Sequence, residues 1–109
     1  FTEPFALVYC ANMLQIAPWA WCAALMRGAS RHLAAAGVLV LYGPYLEHDI
    51  PTAAGNLAFD QSLRARNAAW GIRQLEDVRQ QAALAGLTLQ MRRAMPANNL
   101  MLAFVRDQA

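Results

Sequence analysis

Two short, almost wholly apolar runs, Phe5–Ala11 (FALVYCA) and Val38–Tyr42 (VLVLY), lie about one helix apart and constrain the fold more than any other feature. A run of this length without polar alternation predicts a strand buried on both faces, the condition of parallel strands covered by helices. The segment between them carries Pro18, suited to a first helical turn because its missing N–H would be an orphan donor there. Trp21, Leu25, Ala29 and Leu33 recur as an apolar helical stripe, and Gly37 is placed to end the helix. Strand, helix, glycine and strand make a βαβ unit, which closes with parallel strands and a right-handed crossover.

The rest of the chain extends the pattern. Pro44, Pro51 and Gly55 mark Gly43–Asn56 as a loop. Asn56 is placed to cap a helix over Leu57–Arg66, with Asp60 and Arg64 four apart on one face. Asn67–Arg73 reads as irregular, and Gln74–Ala85 as a helix with stripe Leu75, Val78, Ala82 and Ala85, ended by Gly86. Leu87–Arg93 and Leu100–Arg106 read as strands whose short link forces an antiparallel hairpin. A mostly parallel sheet of this kind binds ligands beyond the C-terminal ends of its parallel strands. The loops after Ala11, Tyr42 and Arg93 therefore converge on one edge.

Composition excludes several classes. With 58% hydrophobic and 15% charged residues, the chain is not disordered. A net charge of +2 without a basic run is too small to imply a nucleic-acid partner, and none is expected. All nine basic residues are Arg, which reads as a GC-rich, bacterial coding background. The longest apolar runs, Ile16–Met26 and Leu33–Tyr42, fall short of the roughly 20 residues that span a bilayer, so no membrane partner is expected. Cys10 and Cys22 lie in apolar stretches without a CxxC pattern and read as reduced, buried thiols. No signal peptide is evident. The expected location is cytoplasmic, and the Phe1 start reads as a cut from a longer polypeptide.

Asn12-Met13 with Pro18-Trp19, Tyr42–Tyr45 (YGPY), Phe59–Arg73 (FDQSLRARNAAWGIR) and Met95–Asn99 (MPANN) occur in that order. Together they resemble the C-terminal half of a class I S-adenosylmethionine (SAM)-dependent methyltransferase. More closely, they resemble a family catalogued as a domain of unknown function that includes methyltransferase-like protein 26. The resemblance implies an α/β, Rossmann-like fold with a mostly parallel four-stranded sheet flanked by helices. The last strand is expected antiparallel and inserted, giving the spatial order first, second, fourth, third. It also implies that residues 1–109 are the acceptor-side half of a domain whose SAM-binding half lies upstream. No glycine pair here has the Gly-x-Gly spacing, so this chain alone is expected to bind SAM weakly or not at all and to be inactive.

The resemblance implies cofactor contacts at Asn12 and Met13, and a small-molecule acceptor near Gln15, Tyr42, Tyr45, Arg64, Trp70, Arg73, Asn98 and Asn99. Each has an ordinary reading beside it. Asn12, Asn98 and Asn99 are turn formers, the arginines can be solvated, and Asp60 with Arg64 can be a simple surface pair. Gln15 stands where His is expected in much of the family, which favours orienting a substrate over acting as a base. Trp19 and Trp21 read as packing residues. Glu47-His48-Asp49 reads as a solvated loop rather than a metal site. Methyl transfer from a sulfonium to a nucleophilic acceptor mainly needs alignment and exclusion of water, so a rim of Asn, Tyr, Trp and Arg suffices. The alternative is a non-catalytic methyltransferase-like binding or interaction module. The apolar edge of Phe5–Ala11 further predicts a homo-oligomer.

Overall fold

A computed structural model describes residues 5–11, 13–47 and 50–106. Asn12, His48 and Asp49 lie outside the described residues. The main sheet contains β1 (Phe5–Ala11), β2 (Leu33–Gly43), β5 (Leu87–Met95) and β6 (Asn99–Arg106) in the order β1-β2-β6-β5. β1 and β2 are parallel, while β6 is antiparallel to both β2 and β5. Three strands therefore run one way with the last strand inserted against them, as the family resemblance implied. A second, unanticipated sheet pairs the short strands β3 (Tyr45–Leu46) and β4 (Arg73–Gln74) in parallel.

Register decides which side chains meet. Leu39 pairs with Phe104 and Leu41 with Leu102, so these four share a face. On that face they pack with Cys22, Met26 and Ala29 of α1 (Ala20–His32) and with Val78 and Ala82 of α3 (Leu75–Leu84). Complete burial of each large aliphatic side chain contributes about 1.5–3 kcal/mol. The opposite face carries Leu7 and Tyr9, which are 58% and 57% exposed, and half-buried Val38, Val40, Tyr42 and Met101. Strands that read as apolar on both faces are thus fully covered on one.

The first crossover differs from its expected form. α1 ends at His32 rather than near Gly37, because Leu33 is already extended (φ −73°, ψ 140°) and pairs with Phe5. The alanines at 34–36 favour helix intrinsically, but pairing overrides that weak preference. β2 spends more residues than β1 between the pairs Phe5–Leu33 and Leu7–Val38, so Gly37 lies inside an irregular strand. The Arg106 guanidinium donates to the carbonyls of Ser30 and Leu33, satisfying the end of α1 with a cation. The stripe is also shifted: Cys22, Met26, Ala29 and Leu33 are buried, and the bulkier Trp21 and Leu25 flank them half-buried.

α2 (Ala54–Arg66) starts earlier than expected, with Ala53 rather than Asn56 at its N-cap. The Asn56 amide is used elsewhere, donating to the Asn98 carbonyl at 3.1 Å. α3 buries Leu75, Val78 and Ala82 as its stripe predicted, and Gly86 follows it at φ +81°. The hairpin link is the tight turn Pro96–Asn98, with Ala97 and Asn98 both at positive φ (63° and 62°). Asn suits that conformation, whereas Ala97 pays about 1–2 kcal/mol for it. Among the described residues, no helix is long and apolar enough to cross a membrane.

Candidate functional site

The parallel strands β1, β2 and β5 deliver their C-terminal ends to one edge, and the connections beyond them build two cavities. After β2, Gly43-Pro44 turns the chain into β3, whose Tyr45 pairs with Arg73. Beside it, a cleft of about 210 Å3 is lined by Tyr45, Glu47, Asn56, Arg92, Asn98 and Asn99. Glu47 accepts two hydrogen bonds from Arg92, at 2.7 Å from Nε and 2.6 Å from Nη2. This fork joins the loop after β3 to the middle of β5 and raises the Arg92 pKa, chiefly through the hydrogen bond. Asn56 ties α2 to the hairpin tip, and the Asn99 amide lies 3.4 Å from both the Tyr42 hydroxyl and the Pro96 carbonyl. Burial, reinforced by neighbouring Cys10 and Cys22, pushes the Tyr45 phenol far above its usual pKa. Tyr45 therefore stays neutral and can orient a ligand, but does not serve as a phenolate.

The second cavity, about 240 Å3, is bounded by Trp19, Arg64, Ile72, Arg73, Gln74 and Asp77. Its floor is the segment joining α2 to β4. Asn67 Oδ1 accepts from the Ala69 N–H at 2.9 Å, and the Trp70 N–H donates to the Asn67 carbonyl. The Gly71 N–H then reaches the Gln15 carbonyl at 2.9 Å. Asp60 holds this segment to α2: one carboxylate oxygen accepts from the Ile72 N–H at 2.7 Å and the other from Arg64 Nε at 3.0 Å. Arg73 ties it to the connection after β1, donating to the carbonyls of Leu14 (3.1 Å), Ala17 (2.7 Å) and Ala69 (2.6 Å). Its guanidinium also lies over the Trp19 ring, 5.5 Å from the centroid.

The structure thus divides the residues that the sequence nominated. Tyr45, Asn98 and Asn99 meet at the first cleft, while Arg64 and Arg73 meet at the second. Gln15 is buried (5% exposed), Trp70 is half-buried and Met13 stands exposed just beyond β1. Tyr42 sits at the end of β2 and touches the first cleft only through Asn99. The Asp60 anchor and the Glu47–Arg92 fork were not anticipated. An i,i+4 spacing flags Asp60 and Arg64 as a pair but is silent about Ile72. Glu47 and Arg92 are far apart in sequence, and no local pattern joins them. Among the described residues, no group of His, Cys, Asp and Glu could hold a metal ion.

Of the two residues that the resemblance implies as SAM contacts, Met13 is exposed just beyond β1 and Asn12 lies outside the described residues. The connection from β1 to α1 is a short turn over Leu14–Ile16 followed by Pro18, with no glycine cradle in it.

Comparison with solved structures places this architecture. The mitomycin 7-O-methyltransferase MmcR superposes with a TM-score of 0.84 at 13% identity, over 97% of this chain and 31% of its own. An O-methyltransferase family 2 protein from Planctomyces limnophilus, in complex with apigenin, gives 0.82 at 19% identity over 96% and 33%. LepI in complex with SAM gives 0.80 at 16% identity over 96% and 27%. At these identities the likeness establishes the fold, that of class I methyltransferases. The chain spans about a third of the length of these proteins. A family model matches residues 1–106, and by that match the chain belongs to the family described as protein of unknown function DUF938.

Proposed function

We propose that residues 1–109 are the acceptor-facing half of a SAM-dependent methyltransferase acting on a small molecule, with upstream residues supplying the nucleoside cradle. The observation that carries this reading is the convergence of the β1, β2 and β5 ends on one edge, with a polar cleft beside them. The solved methyltransferases of the same fold support it, as does the partial share of their length that this chain matches. The exposed sheet face carrying Leu7 and Tyr9 gives upstream helices a surface to cover.

When bound, SAM supplies an electrophilic methyl group. Asn12 and Met13 would meet its methionine part. The chain's own residues perform the remaining work: Tyr45, Asn98 and Asn99 orient the acceptor, and Asn56 holds the hairpin that carries Asn98. The isolated chain, lacking a glycine turn, binds SAM weakly or not at all. In a polypeptide that includes the upstream half, Asn12→Ala lowers SAM affinity by calorimetry; an unchanged affinity overturns the cofactor assignment. The second reading is a non-catalytic binding or interaction module. It is favoured by Gln15 in the place expected for His. Retained SAM binding without methyl transfer to a broad acceptor panel selects it.

A further inference from the structure

Two guanidinium groups face the second cavity, and the way each is held differs in a revealing manner. Arg73 spends Nε and one Nη on carbonyls, binding the floor together. Arg64 spends only Nε, on Asp60, and neither of its Nη groups has a protein acceptor among the described residues. Its plane is nonetheless seated. It lies over Gly71, where a Cβ would come within 2.9 Å of Arg64 Cζ and Nη2, and Gly71 adopts φ +152°. A side chain at position 71 would expel Arg64 from this place. The two cations are near enough that, after burial itself, the Arg64 charge is the main cause lowering the Arg73 pKa.

Like charges held together, with donor edges left over, call for an anion between them. The first turn of α3 opens on the same cavity through its N-cap Gln74, adding the positive end of a helix dipole. Two carboxylates stand nearby. Asp60 is committed to Arg64 and Ile72, whereas Asp77 lines the cavity and opposes an anion that comes close to it. The remaining wall is apolar, formed by Trp19, Leu46 and Ile72.

We propose that the cavity between Arg64 and Arg73 is an oxyanion subsite that takes the carboxylate or phosphate group of a small ligand, its apolar body lying toward Trp19 and Ile72. The subsite is separate from the cleft of Tyr45, Asn98 and Asn99, and the anion proposal stands without the methyltransferase reading. Binding of the anion itself is independent of SAM, so failure of one proposal is distinguishable from failure of the other.

The test is an NMR titration of the 15N-labelled chain with propionate and, separately, inorganic phosphate at constant ionic strength, with chloride as control. The Trp19 indole, Gly71 amide and Arg64 Nε–H signals should move saturably with propionate, phosphate or both, and not with chloride. The anion that binds identifies which source the site prefers. Arg64→Gln removes the charge and the fork and should weaken binding about tenfold. Asp77→Asn removes the opposing charge without touching the floor and should tighten binding about twofold or more. Shifts that never saturate, equal binding by the Gln variant, or weaker binding by Asp77→Asn each overturn the proposal.

Discussion

Asp60 offers the sharpest test of how the rim is assembled, because its two oxygens do different jobs. One belongs to an i,i+4 pair with Arg64, whose side chain is 53% exposed, and such pairs contribute about 0.3–0.5 kcal/mol. The other accepts the Ile72 N–H at 2.7 Å from a side chain only 18% exposed. A hydrogen bond to a charged group contributes about 1.5–3 kcal/mol, and its loss leaves the amide of buried Ile72 unpaired. Asp60→Ala should therefore cost about 2–3 kcal/mol, read as a lowered urea midpoint at unchanged slope. Asp60→Asn keeps an acceptor for Ile72 and should cost about 1 kcal/mol or less. Arg64→Ala removes only the exposed pair and should cost about 0.5 kcal/mol. If Asp60→Ala proves no worse than Arg64→Ala, the carboxylate is a surface charge and the anchoring role is refuted.

Other perturbations follow from the same geometry. Gly71→Ala meets both the Arg64 contact and an unfavourable φ, so it should lose about 1–3 kcal/mol in urea melts; wild-type stability would contradict the seated guanidinium. Burial raises the Cys22 thiol from the usual 9.0 to about 11. Between those values the unfolded chain releases a proton that the native state keeps, so stability should fall with rising pH by about 1 kcal/mol per unit, and Cys22→Ala should flatten that slope. A slope unaffected by Cys22→Ala would show that other groups set it. β1 has a strand partner on one side only among the described residues, with exposed Leu7 and Tyr9 beside its free edge. Association of copies through it should appear in light scattering and weaken in Leu7→Lys; a monodisperse wild-type monomer at high concentration would count against it.

The architecture was legible because it rests on local signals. Apolar runs without alternation, the α3 stripe and the short hairpin link were enough to give parallel strands and a final antiparallel hairpin, while the insertion of the last strand came from the family resemblance. Boundaries were less legible where tertiary pairing competes with propensity. The alanines at 34–36 read as helix, yet Leu33 already pairs with Phe5. Asn56 read as a cap, yet its amide serves Asn98, a partner known only once the hairpin is folded. The nominated rim residues lie near the expected edge but do not form one site. Arg73 faces backbone carbonyls brought from the β1 connection, and sequence spacing carries no information about them.

The most direct test of the acceptor-facing assignment is a crystal structure, with S-adenosylhomocysteine, of a polypeptide extending upstream of Phe1. The account expects the nucleoside in an upstream glycine turn and the ligand's sulfur directed at the edge where β1 and β2 end, between Met13 and the Tyr45–Asn99 cleft. A ligand bound away from that edge, or none bound at saturating concentration, would contradict it.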